Sequence, residues 1–326
     1  MMLNTLLETR PRAKAIAAQA VFAAALLASA LILALASAPA TRAQGFPAPV
    51  LNADATKQVS PHVWMITGFP NIAIVVGDRA TLVVDTGLGP RNGATVAAEA
   101  RKLSKPGARL YLTTTHFHPE HAAGDAGLPA DTIVIRNAAQ QKELDEQGMQ
   151  MVDLFRSRDA TIKELLADAK FRAPDVVYDR EAKVDLGGAT ARLLWYGGAH
   201  TVGDELTFVE PDDVLVSGDV VQNKVSPNIA GGASTFKDWR ATVEQVTKLP
   251  VKIVLPDHSA VGDASLVTQE LAFLTDLETL TADAKRAGKS ADDAAASVAD
   301  ARKQKYGDWT GINNLPNLVK RVYAEP

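Results

Sequence analysis

The stretch Thr113–His121 reads TTTHFHPEH and holds three of the chain's six histidines, His116, His118 and His121, with Glu120 directly before the last. Imidazole and carboxylate groups at such short spacing are suited to holding a transition-metal ion. His116 and His118 leave an apolar, strand-like run, Arg109–Thr115. Alternate residues leaving a strand point the same way, so these two can converge on one ion. Glu120 and His121 follow Pro119 and can face a second point nearby. The chain has no cysteine, so any metal ligands must be His, Asp or Glu.

Other such groups recur in one setting. His200 lies in Gly197-Gly198-Ala199-His200-Thr201, after the strand-like run 191–196. His258 lies in Leu255-Pro256-Asp257-His258, after the run 251–255. Asp219 follows the run 214–217, and Asp85, in Val83-Val84-Asp85-Thr86-Gly87, follows another. Metal and catalytic groups collect on loops held at strand ends. His62 is the exception. It starts a strand, has no acidic neighbour in the sequence, and reads as an ordinary strand-end histidine.

Several elements must position these groups. Strand-like runs occur at Val63–Thr67, Ile72–Val76, Thr81–Val84 and Arg109–Thr114, with Gly77-Asp78 as a hairpin turn. Strands resume at Glu181–Leu186, Ala191–Tyr196, Glu205–Val209 and Val214–Ser217, and again at 251–255. Helical composition covers 91–104, 236–248, a long stretch 138–170 and the tail 264–323. Two groups of strands with helices between and after them imply two sheets covered by helices, a four-layer αββα sandwich of the α/β class. An open doubly wound sheet is the alternative, but the hairpin turns disfavour all-parallel order. The 138–170 stretch is a candidate lid, in which Met149, Met151, Leu154 and Phe155 form either an apolar wall or ordinary helix packing. The tail from Tyr306 and Trp309 to Tyr323 reads as a helical cap without chemistry.

The first 43 residues differ in kind. Arg10, Arg12 and Lys14 precede an Ala/Leu-rich run, Ala15–Ala38, then Pro39 and a small-residue segment ending Thr41-Arg42-Ala43. This is the pattern of a secretory signal peptide cleaved after Ala43, with a retained membrane anchor as the alternative. The expectation is one periplasmic domain over 44–326, without stable membrane association once cleaved. An exported chain without cysteine must be stabilised by its packed core. The formal charge of −4 gives no electrostatic reason for a nucleic-acid partner; the expected partner is a small-molecule substrate.

The order Asp-Thr-Gly at 85–87, His-x-His-x-Glu-His at 116–121, Gly-Gly-Ala-His-Thr at 197–201, Ser-Gly-Asp at 217–219 and Pro-Asp-His at 256–258 resembles the metallo-β-lactamase-fold hydrolases over about residues 58–260. The resemblance implies the αββα sandwich with a two-metal site on one edge between the sheets. It implies that His116, His118 and His200 hold a first metal, that Glu120, His121 and His258 hold a second, and that Asp219 bridges them. Asp85 is then expected to orient the ligand loop by hydrogen bonds. Five neutral imidazoles suit Zn(2+), two ions per chain, and hydrolysis by metal-bound hydroxide is the reaction expected of such a pair. No serine or cysteine nucleophile is required.

Two positions refine the resemblance. The family pattern has Asp where this chain has Glu120, so Glu120 either ligates the second metal or serves as general base toward its water. Asp219 looks like the bridging residue of glyoxalase II and lactonases, whereas true metallo-β-lactamases usually carry Cys or Ser there. Residues 218–249, with Phe236-Lys237-Asp238-Trp239, look like the exported quinoprotein-relay-type zinc metallohydrolases. The expected substrate is an ester, thioester, lactone or lactam. The alternatives are an iron redox enzyme of the same fold, similar to persulfide dioxygenases, and a non-catalytic metal-binding member. Flavodiiron proteins fit less well, because they have glutamate where this chain has His118.

Overall fold

Runs such as Ile72–Val76 and Ala80–Val84 are buried at nearly every position, so both faces of the strands they form must be covered. The computed structural model describes residues 48–229 and 234–325, which belong to one compact unit. The segment read as a signal peptide, 1–43, lies outside the described residues.

The first sheet has seven strands in chain order: β1 (Thr56–Gln58), β2 (Val63–Ile66), β3 (Ile72–Val76), β4 (Ala80–Val84), β5 (Arg109–Thr113), β6 (Ile133–Asn137) and β7 (Val176–Tyr178). β1 to β4 pair antiparallel, and β4 to β7 pair parallel. The second sheet contains β8 (Glu181–Asp185), β9 (Thr190–Leu194), β10 (Leu206–Glu210), β11 (Val214–Gly218), β12 (Ile253–Pro256) and β13 (Gly262–Asp263), and its order is β13-β12-β11-β10-β9-β8. Its one parallel pair is β11 with β12.

Period-two alternation then sorts the side chains into layers. Ala73, Val75, Leu82 and Val84 of the first sheet meet Leu193, Val209, Val216 and Leu255 of the second in one buried cluster. The opposite face of the first sheet, with Ile72, Ile74, Val83 and Leu112, packs on Val96 and Ala100 of helix α1 (Gly89–Leu103). The outer face of the second sheet, with Leu206, Phe208, Leu215 and Val254, is covered by helices. The fold is therefore the expected αββα sandwich, and the single doubly wound sheet is ruled out.

Within the first sheet's run of strands, a one-turn helix α2 (Pro119–Ala122) lies between β5 and β6, and α3 (Ala138–Arg156) and α4 (Ala160–Leu165) lie between β6 and β7. The expected 138–170 helix is thus two helices, broken where Asp159 caps α4 by accepting the Ile162 N–H at 2.9 Å. Helices α5 (Phe236–Val246), α6 (Ser265–Arg286), α7 (Ala291–Tyr306) and α8 (Leu315–Ala324) form the last layer. Trp309 stacks on Phe273 with centroids 4.9 Å apart, so the tail is a packed cap. Among the described residues, no helix is long and apolar enough to cross a membrane.

Candidate metal centre

Every group singled out at a strand end, except His62, arrives at one edge of the sandwich. His116 and His118 leave β5, with Pro119 starting α2 directly behind them. His200 follows β9, Asp219 follows β11 and His258 follows β12. Both sheets therefore contribute.

The donor atoms fall into two clusters. His116 Nε2 lies 2.9 Å from His118 Nδ1, and His200 Nε2 lies 3.3 Å from the same atom. In the second cluster His121 Nε2 lies 3.3 Å from His258 Nε2. Glu120 completes it, with one donor atom from each residue within 4.8 Å of the others. Asp219 sits between the clusters: one carboxylate oxygen is 3.3 Å from His200 Nε2 and the other 3.5 Å from His258 Nε2.

The arrangement behind the donors fixes them. Asp85 is fully buried and accepts the Thr115 N–H at 2.7 Å. Its second oxygen is 3.0 Å from His121 Nδ1, so it steers the ring and does not itself face the cavity. Its backbone is left-handed, with φ of 72°, a conformation costly for a side-chain-bearing residue and tolerated where surroundings enforce it. Asp257 lies on the same His121 nitrogen at 3.2 Å and accepts the Thr115 hydroxyl at 3.0 Å. His200 Nδ1 faces the Asn228 carbonyl. Gln222 donates to Asp219 at 2.8 Å and accepts from Ser259 at 2.6 Å. The His200 loop is anchored by Asp204, which accepts the Thr201 N–H at 2.8 Å, and by Glu143 of α3, which accepts the Gly203 N–H at 2.8 Å. Such supporting partners orient a ligating ring and set its tautomer.

The electrostatics match. Burial, then His121, lowers the His116 pKa well below its ordinary value, and burial lowers that of His118 likewise. Burial brings His258 to about 4. These rings are neutral at pH 7 and can offer a lone pair. Burial would raise Asp219, but His258 and His200 bring it down to about 2, so it is ionised. Burial also opposes charge on His121, yet Asp85 and then Asp257 hold its pKa well above the ordinary value. Burial raises Glu120.

These residues fit a pair of cations. Glu120 Oε2 is buried without a hydrogen-bond partner, a costly state for a carboxylate. His121 Nε2 and His258 Nε2 approach to 3.3 Å, so two ring nitrogens turn toward one point beside that carboxylate. A cation among these atoms would give the carboxylate the partner it lacks.

A cavity of about 710 Å³ opens onto the clusters, a size suited to a small-molecule ligand. His118, Glu120, His200, Asp219 and His258 line it. Met151, Leu154 and Phe155 of α3 line it too, whereas Met149 does not and is exposed on the helix. Phe155 also packs into the small core beneath α3 and α4, so wall and helix packing coexist. His62 does have an acidic partner: its Nδ1 is 2.7 Å from Asp212, a residue remote in sequence. It remains outside the clusters. The sequence reading passed over Asp257, Thr115, Asp204, Glu143 and Gln222, although Asp257 and Thr115 stand directly beside ligand positions.

Comparison with known proteins agrees with this architecture. Residues 65–258 match the family model of the Metallo-beta-lactamase superfamily. The fold is similar to that of a metallo-beta-lactamase from Pontibacter korlensis, at 19% identity over 69% of this chain and 99% of that one, with a TM-score of 0.53. It is also similar to the stereoselective inverting sec-alkylsulfatase Pisa1 from Pseudomonas sp., at 13% identity over 82% of this chain and 49% of that one, with a TM-score of 0.65. At such identities the likeness is one of fold. No curated protein shows a significant match to the sequence.

Proposed function

Because the chain belongs to the metallo-beta-lactamase superfamily, whose members are generally metal-dependent hydrolases, we propose that it is a dinuclear zinc hydrolase acting on an ester, thioester, lactone or lactam. The observation that carries the reading is the pair of donor clusters joined by Asp219. His116, His118 and His200 would hold one zinc, Glu120, His121 and His258 the other, and Asp219 both. The chemistry that two such ions would supply when bound is an activated water and polarisation of the bond under attack. The chain's own residues do the rest. Asp85 and Asp257 fix the His121 ring, Asn228 fixes His200, and Gln222 fixes the Asp219 carboxylate. The apolar side of the cavity excludes water and seats the substrate beside the clusters.

Metal analysis of the purified mature chain, paired with a panel of a chromogenic β-lactam, a thioester, lactones and a phosphodiester, tests the proposal. The expected result is about two zinc ions per chain and hydrolysis that a chelator abolishes and zinc restores. Iron in place of zinc, or no hydrolysis after zinc is restored, overturns it. Export is part of the same proposal. A periplasmic extract should yield a chain beginning at Gln44, and an intact chain in the membrane fraction counts against cleavage.

A further inference from the structure

The cavity wall beside His118 is built by the end of α3 and the turn into α4. Met151, Leu154, Phe155 and Ile162 make it apolar, and Phe69 and Val225 continue it. Arg158 is the exception on this wall. It lines the cavity yet is exposed. Its guanidinium carbon sits 3.4 Å over the centre of the Phe155 ring, and that ring is 6.4 Å from the His118 ring. One phenyl ring thus neighbours both the cation and the first donor cluster. The charge of Arg158 is felt there: it adds slightly to the burial that lowers His118 and works against the burial that raises Glu120.

Among the described residues, Arg158 makes no ion pair. The nearest carboxylate in sequence, Asp159, also lines the cavity, but one of its oxygens is committed to capping α4. Stacking on an aromatic face holds a guanidinium in place while leaving its N–H fork open. That fork matches an oxyanion, to which it can donate two parallel hydrogen bonds. A cation presented on an apolar wall selects a ligand that is apolar along its length and anionic at one point.

Taking the hydrolase reading of this site as given, we propose that its substrate is an amphiphilic oxyanion: an apolar body lies along Met151, Leu154, Phe155 and Ile162, and an anionic group remote from the scissile bond is held by Arg158. Arg158 is then a specificity residue and takes no part in bond cleavage.

Calorimetric binding to the zinc-loaded protein tests this without any turnover. The probes are hexanesulfonate, whose head group is a poor zinc ligand, and hexanol, which has the same chain and no charge. The wild type is expected to bind the sulfonate at least about 10-fold more tightly than the alcohol, the ratio a charge-assisted hydrogen bond typically gives. Arg158→Ala should abolish that ratio while leaving hexanol affinity within about twofold, and Arg158→Lys should keep part of it. Because Arg158 is exposed, each variant should retain the wild-type melting temperature. Equal affinity for the two probes in the wild type, or an unchanged ratio in Arg158→Ala, overturns the proposal. A substrate panel that shows no hydrolysis, with the binding ratio intact, overturns the hydrolase reading alone.

Discussion

A glutamate carries one methylene more than an aspartate, about 1.5 Å of added reach. At position 120 the carboxylate still falls within 4.8 Å of His121 and His258. Its buried Oε2 has no partner within the protein. Glu120→Gln keeps the shape and removes the charge, so bound zinc should fall from about two to about one per chain by elemental analysis. Glu120→Asp should retain part of the second equivalent. Unchanged stoichiometry in both variants would show that Glu120 is not a ligand. A second lone carboxyl is Glu270 of α6, also buried and without a hydrogen-bond partner on either oxygen. Burial pushes its pKa well above the ordinary 4.5, outweighing the lowering effect of the Gln222 backbone N–H. A carboxyl with a raised folded-state pKa contributes its full stability below about pH 4.5 and loses it progressively as pH rises toward the folded value. Glu270→Gln should therefore unfold at higher urea than wild type at pH 8, by roughly 1–3 kcal/mol, with the gap closing toward pH 4.5. A constant gap at both pH values would show that the carboxyl does not titrate in this range. The candidate donor positions were legible because their spacing is local and each follows an apolar run. Their supports were not, because Asp257 meets Thr115 across 142 residues of sequence. Nothing in either local stretch announces that pairing.

Elements were legible where burial follows a simple apolar pattern, as in β3 and β4, and illegible where polar side chains are buried by distant partners. β6 is the clearest omission. Its second half, Arg136-Asn137, is fully buried, which no local pattern signals. Arg136 Nη2 donates to Asp125 at 2.8 Å and Nη1 to the Arg172 carbonyl at 2.6 Å. Asn137 donates to the Gly203 carbonyl at 2.9 Å and caps α3 by accepting the Gln140 N–H at 2.8 Å. The strand thus ties α3, and with it the cavity wall, to the loop that carries His200. β7 escaped for a different reason: three residues, two of them exposed, carry too little pattern. Asp125 also accepts the Arg172 N–H at 2.8 Å. Removing it strands a buried guanidinium, so Asp125→Ala should cost about 3–5 kcal/mol in urea denaturation. A loss under about 1 kcal/mol, the range of a surface pair, would mean that Arg136 finds another partner.

At the scale of the whole molecule, the donors divide by sheet. His116, His118, Glu120 and His121 come from the first sheet's edge, and His200, Asp219 and His258 from the second. Each cluster mixes the two: His200 completes the first and His258 the second. A cation in either cluster would therefore bridge the halves of the sandwich, and would hold the shared core of Val75, Leu82, Leu193 and Val216 closed at that edge by ligation in addition to packing. A ligand that binds only the folded state stabilises it by about 2.7 kcal/mol when present at 100 times its Kd. Two such sites in a unit of this size should raise the melting temperature by on the order of 5–10 °C. Chelation should remove that increment, and hydrogen exchange should then rise at the ends of β5, β9, β11 and β12 together. Asp219→Ala, which takes away the group shared by both clusters, should melt near the chelated wild type and respond little to further chelation. If zinc is bound but its removal shifts melting by less than about 1 °C, the unfolded chain holds the ions about as well as the folded one, and the two sheets keep their registry through the core alone.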